Sequence, residues 1–119
     1  MRVAVSASGQ TQLDELNPRL GRCEYFVIVD DASGETLAIE NTGRFSTGAA
    51  GIATAKLLYN HQVDVVITGN VGPNAFTALD AADIKVYTGT KGKVQDLLEQ
   101  YRNGNLSKAS GPNVGPHGS

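Results

Sequence analysis

In the second half of the chain, apolar strands alternate with helical segments, and this alternation limits the fold more than any other feature. Residues 63–68 form the clearest strand of the sequence, and an Ala-rich helical pattern precedes them at about 48–60. A second helix opens at Gly72, where the following Pro73 suits a first turn because its missing N–H is not needed there. Residues 84–87 form the next strand. Strands joined through helices in this way should be parallel.

The remaining elements complete a mixed sheet. Val94, Leu97, Leu98 and Tyr101 follow the spacing i, i+3, i+4, i+7, which predicts a third, amphipathic helix. Three short apolar strands occupy the first half, with a hairpin-type turn between the second and the third: residues 2–7, 25–29 and 36–40. The sequence therefore predicts an α/β fold in the order βββαβαβα, with five strands in one mixed sheet and helices on both faces.

Length and composition exclude several classes of protein. The 119 residues suffice for one packed domain, and the single cysteine, Cys23, cannot form an internal disulfide. A net charge of −2 argues against a non-specific nucleic-acid binder. Because the sequence has no membrane-spanning run and no signal-peptide pattern, we predict a cytoplasmic protein that binds neither nucleic acid nor membranes.

The end of the chain differs in composition from the rest. Residues 103–119 consist mostly of Gly, Pro, Ser and Asn, and have few apolar anchors. Such a composition buries too little apolar surface to offset the entropy of ordering. We predict a domain at residues 1–106 and a flexible tail at 107–119.

The loop before the second strand combines basic residues with a soft ligand. Arg19 and Arg22 lie close to Cys23, and the apolar strand that follows holds the loop in place. Guanidinium groups beside a thiol suit an anionic ligand with an affinity for sulfur. The alternative interpretation is a small buried cysteine in a turn, since single cysteines are usually inert core residues.

Two glycine-containing helix starts are further candidates. Asn70, Gly72 and Asn74 link the strand at 63–68 to a helix, where exposed amides and the positive end of the helix dipole suit an anion. The alternative is a plain turn that needs glycine for positive φ. At the other helix start, Gly48 and Gly51 permit close approach, either of a ligand or of the neighbouring strand, as in close helix–sheet packing.

No constellation of catalytic residues is visible. The chain lacks a Gly-x-Ser-x-Gly elbow and a histidine placed near a nucleophile, and neither His61 nor His117 has zinc-site spacing with Cys23. We therefore predict that the protein is not an enzyme.

Several motifs in order resemble the dinitrogenase iron–molybdenum cofactor-binding family, which includes NifX-like cofactor carriers. The motifs are a Leu-Asp pair at 13–14, a Pro-Arg-Leu-Gly-Arg loop at 18–22, a Tyr-Phe-Val-Ile-Val-Asp strand at 25–30, a Gly-Ala-Ala-Gly-Ile helix start at 48–52, a strand with a Gly-Pro-Asn-Ala turn at 65–76 and a Gly-Asn-Leu ending at 104–106. The resemblance covers roughly residues 1–106.

The resemblance implies a ribonuclease H-like fold and non-catalytic binding or carriage of an iron–sulfur or molybdenum-containing sulfur cluster, or of a cluster precursor. It also implies a protein partner in cluster delivery and a role in cofactor biosynthesis. The matching positions that would line the site are Arg19, Arg22, Cys23, Gly48, Gly51, Asn70, Gly72 and Asn74. Cys23 is the predicted metal ligand.

The sequence leaves two other functions open. Many family members carry a histidine before the helix start at 48–52, where this chain has Thr47. This difference is compatible with a protein-interaction or regulatory module that kept the fold and lost the cluster. The third hypothesis is an enzyme that acts on a small anionic metabolite at the helix start near Gly72.

Overall fold

A computed structural model describes residues 1–46 and 49–115, which form a mixed sheet of six strands. The strands are β1 (Arg2–Ala7), β2 (Tyr25–Asp30), β3 (Thr36–Glu40), β4 (Val65–Thr68), β5 (Lys85–Thr88) and β6 (Ser107–Lys108). Their order across the sheet is β3-β2-β1-β4-β5-β6. The predicted antiparallel hairpin of β2 and β3 is confirmed, and so is the predicted parallel pairing of β4 and β5. Strand β1, for which the sequence predicted no partner, pairs parallel with β4 and antiparallel with β2.

Three α-helices cover the sheet: α1 (Ala50–Asn60), α2 (Pro73–Ala81) and α3 (Val94–Arg102). A 3₁₀ turn at Thr42–Phe45 lies between β3 and α1. Helices α1 and α2 pack on one face of the sheet, and α3 packs on the other, as predicted. The longest of these helices has 11 residues, and none in the described parts of the chain is long and apolar enough to cross a bilayer.

Successive side chains of the central strands point to opposite faces of the sheet, so each strand contributes to the core on both faces. In β1, Ala4 belongs to the core cluster under α1 and α2, whereas Val3 and Val5 belong to the cluster under α3. Strand β4 divides in the same way, with Val66 on the first face and Ile67 on the second. Burial on both faces explains why these strands have continuous apolar runs rather than alternating ones.

The sheet has six strands and not the predicted five. The sixth strand, β6, pairs antiparallel with β5 and lies inside the segment predicted as a tail. Just beyond it, the Ala109 N–H donates to the Val86 carbonyl at 2.8 Å. A strand of two exposed polar residues has no hydrophobic periodicity, so the sequence pattern gave no signal for it.

Two sequence predictions remain untested by this architecture. The flexibility of the tail at 107–119 stays a prediction, and Pro116, His117, Gly118 and Ser119 lie outside the described residues. The ribonuclease H-like classification also stays a prediction.

Candidate functional site

The parallel strands end at one edge of the sheet, and the loop with the two arginines lies at this edge. We call residues 17–23 the arginine loop and residues 69–72 the β4–α2 loop. Near the end of β1, the Ser6 carbonyl accepts a hydrogen bond from the Asn17 N–H at 2.9 Å, and the Ser6 Oγ donates to the Asn17 carbonyl at 2.7 Å. The Asn70 N–H donates to the Pro18 carbonyl at 2.6 Å. In open α/β sheets this edge is where ligands bind.

Glycines allow these segments to pack so closely that their backbones are in direct contact. A Cβ atom on Gly69 would lie 2.6 Å from the Pro18 Cβ, so the two loops touch only because Gly69 has no side chain. A Cβ on Gly51 would lie 2.7 Å from the Ala75 Cβ. The close contact at Gly51 is therefore between the starts of α1 and α2, and not with the neighbouring strand as predicted. Gly21 brings the arginine loop against the same helix start, since its Cβ would lie 3.2 Å from the Gly51 nitrogen.

The starts of α1 and α2 lie side by side, and no side chain within the described residues caps either of them. The N-cap positions are Ala49 and Gly72. Gly72 has φ −82° and ψ 171°, so the alternative of a turn that needs glycine for positive φ is wrong at this position. The first N–H groups of a helix have no intrahelical partner, and two adjacent starts add their positive dipole ends. This arrangement favours an anion.

The two predicted arginines lie on the arginine loop, which packs against the start of α1 and against the β4–α2 loop. Arg19 is exposed, and its backbone bridges to Asn70 in the β4–α2 loop. Arg22 is half-buried, and its guanidinium Nη1 donates to the Arg44 carbonyl. A guanidinium has five N–H groups, so this bond leaves Arg22 able to bind an anion as well. Asn74 lies exposed in the first turn of α2.

The structure thus brings together most of the predicted site residues at one edge of the sheet. These are Arg19, Arg22, Gly51, Asn70, Gly72 and Asn74. Gly48, and Thr47 before it, lie outside the described residues.

Cys23 is placed differently from the arginines. Its side chain is completely buried in the core cluster under α1 and α2. The thiol donates to the Leu20 carbonyl at 3.4 Å, and the Asn41 amide lies 3.6 Å from its sulfur. Burial raises the pKa of the Cys23 thiol to about 12, although the hydrogen bond from Asn41 partly opposes this shift. A neutral core thiol favours the alternative interpretation of Cys23, and its role as a metal ligand stays a prediction.

The described residues suit an anion better than a bare metal cation. Nowhere in residues 1–46 and 49–115 do three His, Cys, Asp or Glu side chains come together as a metal site. What the site offers instead is guanidinium groups and backbone N–H donors. Such groups hold a preformed anion by charge and hydrogen bonds.

Two asparagines that support the site, Asn41 and Asn113, were not predicted from the sequence. Asn113 accepts a hydrogen bond from the Val71 N–H at 2.7 Å and donates to the Gly69 carbonyl at 2.9 Å, which ties the C-terminal segment to the β4–α2 loop. Asn41 is fully buried beside the arginine loop. Neither lies in a recognisable motif, because their partners are distant in sequence.

Alkaline pH should reveal the buried thiol. In the unfolded chain Cys23 ionises near its ordinary pKa of 9.0, whereas in the folded protein it keeps its proton up to about pH 12. The folded state then binds a proton that the unfolded state has lost, so the free energy of unfolding falls by about 1.4 kcal/mol per pH unit above pH 9. Below pH 9 this group contributes no pH dependence.

Urea unfolding at pH 8, 9 and 10 (values chosen around the ordinary thiol pKa of about 8.5 to 9) would measure this fall. The Cys23→Ala variant is the control, because other groups that titrate in this range are the same in both proteins. The wild type should lose more stability than the variant as the pH rises. Identical pH profiles would show that the thiol ionises equally in both states.

Comparison with known proteins gave consistent matches. The family model described as dinitrogenase iron–molybdenum cofactor matches residues 1–104. The apo form of the orange protein from Desulfovibrio gigas is 36% identical, with a TM-score of 0.91 over 95% of this chain and 96% of that chain. A candidate NifB protein from Thermotoga is 34% identical, with a TM-score of 0.84 over 95% of this chain and 97% of that chain. An uncharacterized protein of Methanocaldococcus jannaschii is 33% identical over 98 residues, which are 80% of this chain and 83% of that protein.

Proposed function

Because the chain belongs to the dinitrogenase iron–molybdenum cofactor family, whose model spans residues 1–104, we propose that it binds and carries an anionic metal–sulfur cluster or a cluster precursor. The cluster is cargo, and the protein catalyses no reaction on it. The observation that carries this proposal is the arginine loop packed against two adjacent uncapped helix starts.

The charge of this site is of the right sign and size for such a cargo. Each helix start carries roughly +0.5 of an elementary charge, so two starts and two guanidinium groups place roughly three positive charges at the site. Tetrathiomolybdate, a small thiometalate anion, carries two negative charges. Its sulfur atoms would accept hydrogen bonds from guanidinium and backbone N–H groups.

We further infer that Cys23 supports the arginine loop from the core side and does not ligate the cluster. Its raised pKa and complete burial support this inference, because only the thiolate binds metals strongly. This proposal differs from the metal-ligand role predicted from the sequence. The Cys23→Ala variant separates the two.

Anoxic titration of wild type and Cys23→Ala with tetrathiomolybdate, and separately with an iron–sulfur cluster, tests the proposal. Metal content and absorbance are measured after desalting. We expect both proteins to retain the same cargo with the same stoichiometry. Retention by the wild type alone, with Cys23→Ala still folded, would restore Cys23 as the ligand. If neither protein retains either probe, the cargo proposal is wrong and the interaction-module hypothesis takes its place.

A protein partner that delivers or accepts the cluster remains a proposal that rests on family membership. The same holds for a role in cofactor biosynthesis and for the ribonuclease H-like classification, whereas a cytoplasmic location stays a prediction from the sequence.

A further inference from the structure

We propose that Asn41 is the positioning residue that holds Arg22 in the cluster site. This inference rests on the proposed function, because it concerns how the site is built. Asn41 follows β3 directly and does not touch the proposed cargo, so any effect on binding acts through the arginine loop.

The side chain of Asn41 fixes the backbone on both sides of Arg22. Its Nδ2 donates to the Cys23 carbonyl at 3.0 Å and lies 3.3 Å from the Gly21 carbonyl. Its Oδ1 accepts a hydrogen bond from the Thr54 hydroxyl of α1 at 3.0 Å. One buried amide therefore connects the peptide groups next to Arg22 with the helix whose start forms half of the site.

The main chain of Asn41 also fixes the side chain of Arg22. The Asn41 carbonyl accepts hydrogen bonds from the Arg44 N–H at 3.2 Å and from its Nη1 at 3.4 Å. The carbonyl of Arg44 in turn accepts the hydrogen bond from the Arg22 guanidinium. Both ends of Arg22 thus depend on Asn41, the backbone through its amide and the guanidinium through the turn that starts at its carbonyl.

This arrangement matters for affinity because an arginine side chain has many rotamers. An unrestrained side chain loses conformational entropy when it binds a ligand, whereas one that is already held in place loses less. A merely structural asparagine would affect the stability of the fold and leave the affinity of the folded protein unchanged. The two roles therefore predict different results in a double-mutant cycle.

The cycle consists of wild type, Asn41→Ala, Arg22→Gln and the double variant, with the dissociation constant for tetrathiomolybdate measured by equilibrium dialysis. We expect each single variant to bind about tenfold more weakly than wild type, and the double variant to bind about tenfold and not a hundredfold more weakly. Once Arg22 is gone, Asn41 has nothing left to position. Multiplicative losses, or an unchanged affinity in Asn41→Ala, would overturn the inference.

Two further variants keep the test decisive. Leu98→Ala removes a fully buried side chain of α3 from the core cluster on the other face of the sheet, to which no residue of the arginine loop belongs. It should lower stability and keep wild-type affinity. If Asn41→Ala does not fold, Thr54→Val replaces it, because it removes only the hydrogen bond to Oδ1. We expect Thr54→Val to weaken binding about threefold in wild type and not at all beside Arg22→Gln. If wild type binds the iron–sulfur cluster but not tetrathiomolybdate, the cycle is measured with the iron–sulfur cluster; failure of wild type to bind either probe would instead refute the proposed function.

Discussion

Replacing Arg19 and Arg22 together by glutamine should weaken tetrathiomolybdate binding about a hundredfold. Hydrogen bonds to charged groups contribute about 1.5–3 kcal/mol each, and a hundredfold loss corresponds to about 2.7 kcal/mol. The expected loss is near the lower limit for two such bonds, because exposed Arg19 is screened by solvent. Equilibrium dialysis at low and at high salt measures the effect. The dependence of affinity on salt should also become weaker in the variant.

A charge-matched control separates local contacts from the overall charge of the protein. Lys85→Gln with Arg102→Gln removes two positive charges at the opposite edge of the sheet, where these residues pair with Asp83 and Asp31 at 3.2 and 3.3 Å. Such surface ion pairs contribute little to stability, so the control should fold normally. It should also bind with nearly wild-type affinity. An equal loss in the control would mean that net charge, and not the arginine loop, holds the anion.

Sequence patterns predicted the parts of this fold that depend on neighbouring residues. Strands β1 and β3 have the predicted bounds, because apolar runs and turn residues determine them locally. The start of α2 at Pro73 follows from the backbone chemistry of proline alone. Each of these features has its cause within a short window of sequence.

The features that the sequence did not predict depend on distant partners. The amide of Asn41 bonds to Cys23 and Thr54, which are 18 and 13 residues away, and Asn113 bonds to Gly69 across 44 residues. A lone cysteine in a basic loop is compatible with a ligand or with a core residue, and only the packing of α1 against the sheet distinguishes them. Local periodicity carries no information about such contacts.

Replacing Gly51 by valine should affect stability and binding at the same time. The new Cβ would lie 2.7 Å from the Ala75 Cβ and 3.2 Å from the Ala75 Cα, so the helix backbones must move apart. Overpacking of this kind costs about 1–3 kcal/mol, and valine recovers only a few tenths of a kcal/mol through its better helix propensity than glycine. We expect a net loss near 2 kcal/mol in urea unfolding. Separation of the two helix starts should also weaken tetrathiomolybdate binding about tenfold, because the amide donors no longer converge on one anion.

The partner position provides the control for this prediction. Ala75→Gly removes the nearest contact, although by itself it costs about 1 kcal/mol because glycine is a poor helix former. If the clash with Ala75 causes the loss of stability in Gly51→Val, the double variant Gly51→Val with Ala75→Gly loses less stability than the two single variants lose together. Part of the affinity for tetrathiomolybdate should also return. The exposed Lys56 of α1 provides a second comparison, since Lys56→Val adds a valine to the same helix at a solvent-exposed position. A double variant as unstable as the sum would contradict the role of Gly51 as the contact that brings the two helix starts together.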